Sequence, residues 1–272
     1  MLKFLPTPIG NLQDITIRTI EELKNAEIIF CEDTRVSKRL LFLLNEKLNI
    51  SFGQKEFIPL HSHNEKKQIE KYSETLRNKN CVYVSDAGMP CISDPGSELV
   101  KFCQLNSIKY EVLPGANALL PAFCASGFSD GQFLFYGFLP HKKNDRRTKL
   151  KELLAENIFP IIFYESPHRL LDFLVDISEL FPDRRLFLAK ELTKLHEKFF
   201  SGTTIELLNT IQKEKILGEW VVIADKNSLK ATSITLNIED LLALSLPKKE
   251  LAKLISKISG ENPKTVYEKL LQ

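Results

Sequence analysis

Between Asp86 and Gly96 the chain carries two Asp, two Gly and two Pro within eleven residues. They form Ser85-Asp86-Ala87-Gly88-Met89-Pro90 and Ser93-Asp94-Pro95-Gly96, directly after the apolar run Cys81–Ser85. Glycine lets a backbone come close to a ligand, and proline fixes the backbone's path. A loop of this kind can enclose a flat cofactor with main-chain groups; it can also be no more than an elaborate turn. Leu5-Pro6-Thr7-Pro8-Ile9-Gly10-Asn11-Leu12 has the same character at the end of the first apolar run. A third such turn, Pro114-Gly115-Ala116-Asn117-Ala118, opens an apolar helix at Leu119–Cys124. Small residues at a helix start leave room for a ligand and expose N–H groups. The nucleotide patterns G-x-x-x-x-G-K-[ST] and G-x-G-x-x-G are absent.

Four polar clusters stand at the carboxyl ends of apolar runs: Glu32-Asp33-Thr34-Arg35, His61-Ser62-His63-Asn64-Glu65, Glu165-Ser166-Pro167-His168-Arg169 and Lys190-Glu191-Leu192-Thr193-Lys194. Any one could be helix capping by a residue such as Asn64 or Ser166, but four together point to a shared cleft. From His141 to Lys151 the chain carries six Lys/Arg (Lys142, Lys143, Arg146, Arg147, Lys149, Lys151) against Asp145. Such a run suits phosphate contact or is the solvated face of a loop and helix start.

The elements that must hold these groups alternate in type. Strands are expected at Leu2–Pro6, Glu27–Cys31, Phe57–Leu60, Cys81–Ser85 and Lys109–Leu113. Helices are expected at Ile15–Asn25, Ser37–Leu48, Asn64–Asn78 and Glu98–Asn106. That alternation implies a mainly parallel sheet with ligands bound beyond its carboxyl edge. A second region follows. Its strands are Phe133–Leu139, Pro160–Tyr164, Arg185–Lys190 and Glu219–Ala224, and its helices are Lys149–Glu156, His168–Leu180 and Thr204–Lys213. The fold class is α/β, with a mainly parallel N-terminal domain over residues 1–116 and a mixed α/β domain over 117–226. A polar linker, 227–237, leads to a small helical, helix-turn-helix-like tail, 238–272. There Leu251, Leu254, Ile255 and Ile258 mark an apolar face, with breaks at Pro247 and Gly260–Pro263.

With 272 residues, 43% hydrophobic and 26% charged, the composition is that of an ordinary globular chain. No run reaches the ~20 apolar residues of a membrane span, and the start lacks a signal-peptide pattern; the cytoplasm is the expected location. Five cysteines without C-x-x-C spacing read as reduced, buried side chains, and no metal site is expected. The net charge of +2 does not announce a polyanion binder; the basic run does so only locally.

These residues also resemble a known family. Thr7-Pro-Ile-Gly-Asn-Leu12, Glu32-Asp-Thr-Arg35, His63-Asn-Glu65, Ser85-Asp-Ala-Gly88 with Ser93-Asp-Pro-Gly96, and Leu113-Pro-Gly115 occur in its order. So do Phe163-Tyr-Glu-Ser166 with His168-Arg169, Lys190-Glu-Leu-Thr193 and Gly218-Glu219. Together they resemble the ribosomal RNA small subunit methyltransferase I family, 2′-O-ribose cytidine methyltransferases of the tetrapyrrole-methylase superfamily. The resemblance implies a two-domain fold that holds S-adenosylmethionine, a homodimer, no membrane attachment, and 16S ribosomal RNA of the small subunit as substrate. It implies cofactor contacts at Pro8, Gly10, Ser85, Asp86, Ala87, Gly88, Pro90, Ala116, Asn117, Ala118, Tyr164, Glu165 and Gly218. A ribose hydroxyl is weakly acidic, so a nearby base or positive charge is expected to help; Glu32, Asp33, Lys190 and Glu191 are the candidates, with an interdomain salt-bridge network as their alternative role. Arg35, Lys38, Arg39, His63, Lys142, Lys143, Arg146, Arg147 and Arg169 are candidates for RNA phosphates. A tetrapyrrole methyltransferase and a non-catalytic ribosome-assembly RNA-binding protein are the alternatives; the Pro-Ile-Gly-Asn loop, the basic run and the tail speak against the first, and the intact cofactor loops against the second.

Overall fold

The computed structural model describes residues 1–128, 131–227, 241 and 246–271. The chain separates into two compact units, Met1–Asn227 and Ser228–Gln272.

In the first unit, β1 (Leu2–Leu5), β2 (Ile28–Cys31), β3 (Glu56–Pro59), β4 (Cys81–Val84) and β5 (Tyr110–Val112) form a parallel sheet in the order β3-β2-β4-β1-β5. Alternation along the strands sends Phe4, Phe30 and Tyr83 into one core and Leu5, Ile29 and Val82 into the other. Burial on both faces explains why the inner strands β1, β2 and β4 read as continuous apolar runs. Helices α1 (Ile17–Asn25), α2 (Thr34–Leu48), α3 (Glu65–Lys71), α4 (Ser73–Asn78) and α5 (Ser97–Leu105) complete the layers. The helix expected over Asn64–Asn78 is two, parted at Tyr72.

After α6 (Leu119–Ser126) come β6 (Leu134–Gly137), α7 (Lys143–Leu154), β7 (Ile161–Glu165), α8 (Leu170–Leu180), β8 (Arg185–Lys190), β9 (Lys198–Thr203), α9 (Thr204–Ile211) and β10 (Trp220–Ala224). The sheet runs β6-β7-β10-β8-β9; only β6 and β7 are parallel. Sequence reasoning missed β9, an edge strand whose KFFSGT lacks a clean apolar alternation. The basic run is helical from Lys143, well before the expected start at Lys149. One face of this sheet packs on α7, α8 and α9. The other packs on α6 and on Ile9, from the loop after β1. Ile9 thus ties the strand ends of the first sheet to the core of the second.

In the second unit, α10 (Lys248–Ser259) and α11 (Pro263–Leu271) bury Leu251, Ala252, Ile255 and Val266 together with Leu241. Gly260 in the left-handed region ends α10, and Pro263 opens α11. Leu254, expected on the apolar face, is exposed. Most of the expected linker, the first tail segment and the Ile258 side chain lie outside the described residues. Among the described residues no helix is long and apolar enough to cross a membrane, and no His/Cys/Asp/Glu group could hold a metal ion.

Candidate active site

Two loops at the carboxyl edge of the parallel sheet are stitched together. Thr7 and Gly88 exchange backbone hydrogen bonds, each 3.0 Å. The Thr7 hydroxyl donates to Ser85 O at 3.2 Å, and the Ser85 hydroxyl donates to Gly88 O at 3.0 Å. Gly88 sits at φ +85°, where a side chain is strained. The chain then turns at Gly96, φ +122°, where a Cβ would stand 2.8 Å from both Cys91 Sγ and Tyr83 Cε1. Glu65, buried on α3, accepts the amides of Gly96 and Leu99 through Oε1, both at 3.1 Å, and so caps α5.

These loops wall one side of a cleft of about 330 Å³. Ala87, Gly88 and Asp94 lie on that side, with Asn117 and Ala118 at the start of α6. Opposite them, Tyr164 and Glu165 come from the end of β7, Phe138 from the residue after β6, and Gly218 and Glu219 from the approach to β10. Of the expected cofactor residues, Ala87, Gly88, Asn117, Ala118, Tyr164, Glu165 and Gly218 line the cleft. The others stand behind it or beside it. Ser85 and Pro90 are buried supports. Asp86 accepts the Asp33 amide through Oδ1 at 3.0 Å, joining the loops after β2 and β4. Pro8 lies half-buried in the loop between β1 and Ile9. Gly10 is pressed against Thr193 and Lys194, and a Cβ there would overlap the Lys194 side chain. Ala116 lines a neighbouring groove with Leu120 and Cys124. Sequence reasoning did not assign Asp94, Phe138 or Glu219 to the cofactor, although Glu219 stands in the Gly218-Glu219 motif. Asp94 was visible inside Ser93-Asp-Pro-Gly96, but nothing local to the motif says which of its residues turns toward the cleft.

The acids around the cleft differ sharply. Asp94 is raised to about 6 by burial and by the charge of Asp86, against a lowering effect of the Ser85 hydroxyl. Burial, then Asp94, Asp86 and Asp33, raise Glu32. Burial also raises Asp86. Asp33 goes the other way: hydrogen bonds from Arg35, whose amide it also caps at 2.8 Å, hold it at about 2. Glu165 is buried and raised by burial. Its Oε1 accepts the Ser166 amide at 2.9 Å and faces Arg169 Nε at 3.4 Å, while Oε2 has no hydrogen-bond partner among the described residues. Burial lifts Tyr164 to about 12 although the amides of Leu119 and Ala118 face its hydroxyl.

Lys190 and Glu191, neighbours in sequence, part company in space. Lys190 is buried; its Nζ donates to Lys215 O at 2.7 Å and lies 5.3 Å from the centre of the Trp220 ring. Glu191 sits at φ 51° and takes the Glu219 amide at 2.8 Å and Lys194 Nζ at 2.9 Å through Oε1. Burial raises its carboxyl, but these partners bring it below the usual value. Glu32 and Asp33 stand between β2 and α2, and none of the four expected catalytic residues is among the described residues that line the cleft, so the structure does not gather them at one point.

The basic candidates also divide. Lys38, Arg39, His63, Lys142 and Lys143 are exposed. Arg35 is exposed but paired with Asp33 at 2.5 Å. Arg146 is buried and bound to Asp176 at 2.7 Å, also donating to His141 O, so its guanidinium is engaged inside the fold. Arg147 bridges Asp176 and Glu179. Arg169 donates to Leu139 O at 2.7 Å and Pro140 O at 3.2 Å, holding the turn that enters the basic helix.

Residues 1–208 match the model of the Tetrapyrrole (Corrin/Porphyrin) Methylases. A Campylobacter fetus protein named "Ribosomal RNA small subunit methyltransferase I" is 49% identical over 272 residues, the full length of both chains. A Helicobacter pylori (strain J99) protein of that name is 45% identical over 285 aligned positions, covering 100% of this chain and 98% of that one. Among solved structures, diphthine synthase superposes with a TM-score of 0.63 at 13% identity, over 82% of this chain and 89% of that one. The methyltransferase CobJ gives 0.59 at 16% identity, over 83% and 94%; both likenesses concern the fold. The chain belongs to the tetrapyrrole (corrin/porphyrin) methylase family and, within it, to the ribosomal RNA small subunit methyltransferase I group.

Proposed function

We propose that this protein transfers a methyl group from S-adenosylmethionine to the ribose 2′-hydroxyl of a cytidine in 16S ribosomal RNA of the small subunit. The observation that carries the reading is a strand-end cleft of this fold in a chain whose full-length relatives bear the name of a small-subunit ribosomal RNA methyltransferase.

The residues present fit the cofactor. Gly88 and Gly218, both at positive φ, bare the backbone on opposite walls. Glu165 Oε2 is a buried acceptor in want of a donor, and the cofactor's amino and hydroxyl groups are donors. The cleft is lined by three carboxylates, Asp94, Glu165 and Glu219, and by no Lys or Arg among the described residues, which suits a ligand bearing cationic groups. The bound cofactor supplies an electrophilic methyl on a sulfonium centre.

What the chain then contributes is position and proton transfer. Tyr164, held against the start of α6, and the walls at Ala87–Gly88 and Asn117–Ala118 fix the donor. The negative lining repels RNA phosphates, so the backbone is held at exposed cations: Lys38, Arg39, His63, Lys142 and Lys143. Of the four expected catalytic residues, Glu32 combines a raised pKa with no hydrogen bond or ion pair among the described residues, and we assign it proton removal from the 2′-hydroxyl. Asp33, Lys190 and Glu191 are engaged in the contacts described above. The reading includes a homodimer in the cytoplasm, for which sedimentation of the purified protein and cell fractionation are the checks.

The deciding experiment incubates the protein with labelled S-adenosylmethionine and small subunits from cells lacking it, then identifies the product nucleoside by mass spectrometry. The expected product is 2′-O-methylcytidine. A base methyl, or label accepted only by a tetrapyrrole, would overturn the proposal.

A further inference from the structure

The three carboxylates of the cleft are not equivalent. Glu219 is paired with Lys194 at 3.1 Å, and Glu165 faces Arg169 through one oxygen at 3.4 Å. Asp94 has no cation within ion-pair distance among the described residues. Its charged neighbours are acids: Asp86 acts on Asp94, and Asp94 in turn acts on Glu32. It is half-buried and faces the cleft from the Ser93-Asp94-Pro95-Gly96 turn. A carboxylate held among acids in a partly dry wall is a costly arrangement that a cationic ligand relieves.

We propose that Asp94 is the residue that answers the positive charge at the donor's sulfur, so that the cleft retains the charged methyl donor and releases the neutral product. This rests on the S-adenosylmethionine reading above. In the transfer, the sulfur–methyl bond breaks with its electron pair left on sulfur. A carbon–oxygen bond forms at the ribose, and the hydroxyl proton passes to a base. Donor and product therefore share their adenosine, ammonium and carboxylate groups and differ by one methyl and one positive charge. Only a group that senses the sulfonium can separate them strongly. Glu165 and Glu219, already facing cations, contribute less to that distinction. Removing the charge of Asp94 thus acts on the ratio of two affinities rather than on binding as a whole.

The test is calorimetric binding of three ligands: S-adenosylmethionine, S-adenosylhomocysteine, and sinefungin, whose amine puts a positive charge near the position of the sulfur. The native protein is expected to bind both charged ligands more tightly than S-adenosylhomocysteine. Asp94→Asn is expected to weaken the two charged ligands by about ten- to a hundredfold, the scale of one partly screened charge pair, and to leave S-adenosylhomocysteine within about twofold. An Asp94→Asn variant that weakens all three alike assigns Asp94 to a shared group such as the ammonium and overturns the proposal. So does a native protein that binds S-adenosylhomocysteine at least as tightly as the charged ligands, a result that needs no variant. A native protein that binds none of the three overturns the methyl-transfer reading itself, a distinguishable failure.

Discussion

The Glu191 carboxylate occupies the space that a side chain on Gly218 would need. A Cβ built on Gly218 overlaps the Glu191 carboxyl group, and Gly218 sits at φ +79°. Gly218→Ala therefore meets both a steric clash and a left-handed backbone, which costs about 1–2 kcal/mol on its own. The clash adds to this, and Glu191 can move only by giving up the Glu219 amide and Lys194. Denaturant unfolding should show Gly218→Ala destabilised by about 2–4 kcal/mol. The double variant with Glu191→Ala should recover part of that loss; simple additivity in this cycle would show that the two residues are not coupled.

Glu65 offers a second test of a residue whose role is structural. Its buried Oε1 satisfies the amides of Gly96 and Leu99. Glu65→Ala orphans both donors next to the loop that carries Asp94 and should cost about 2–4 kcal/mol. Glu65→Gln keeps an acceptor oxygen and should lose far less. Equal losses in the two variants, by thermal or denaturant unfolding, would mean that charge rather than capping is what Glu65 supplies.

How much of this could be read in advance follows from locality. The strand-end loops were legible because Gly and Pro write backbone geometry directly into the sequence, and both Gly88 and Gly96 sit at positive φ. The parallel sheet was legible because its inner strands β1, β2 and β4 are buried on both faces. The directions of side chains were not. Lys190 and Glu191 are adjacent in sequence, yet one points to Trp220 and the other to Gly218. Arg146 and Lys143 share one basic run. The helical turn between them sends Arg146 inward to Asp176, thirty positions away, while Lys143 stays exposed. Pairings that distant leave no local signal.

That division within α7 makes opposite predictions for neighbouring cations. Arg146→Ala leaves Asp176, which is 1% exposed, with a weakened set of partners. Breaking a buried pair in this way costs about 3–5 kcal/mol, so the variant should unfold at markedly lower denaturant. Lys142 and Lys143 are exposed. Replacing both with Gln should leave stability nearly unchanged, weaken RNA binding, and reduce the salt slope of log affinity by roughly 1.5–2, as expected for two lost phosphate contacts. An unchanged slope would make those lysines an ordinary solvated face.

In the fold Asp94 titrates at about 6, above the ordinary 3.8, because burial and Asp86 disfavour its charge. A raised carboxyl means that the folded chain holds more protons than the unfolded chain between those two values. This group's contribution therefore lowers the stability of the ligand-free protein as pH rises through that window. Cation binding has the opposite sign: it favours the carboxylate, releases a proton, and should strengthen as pH rises through about 6 and level off above. Of the groups around Asp94, Glu32, Asp86 and the cleft-lining Glu165 are also raised and add a shallower trend in the same direction, while Tyr83, Tyr164 and Cys91 are raised away from this range. Between pH 8 and pH 5, S-adenosylmethionine affinity should thus fall, approaching tenfold per unit at the acid end, while S-adenosylhomocysteine affinity changes little. In Asp94→Asn the steep part should vanish, leaving the gentle slope of Glu32, Asp86 and Glu165. If the native and variant proteins trace the same pH curve, Asp94 is not the titrating group that couples the cleft to its ligand's charge.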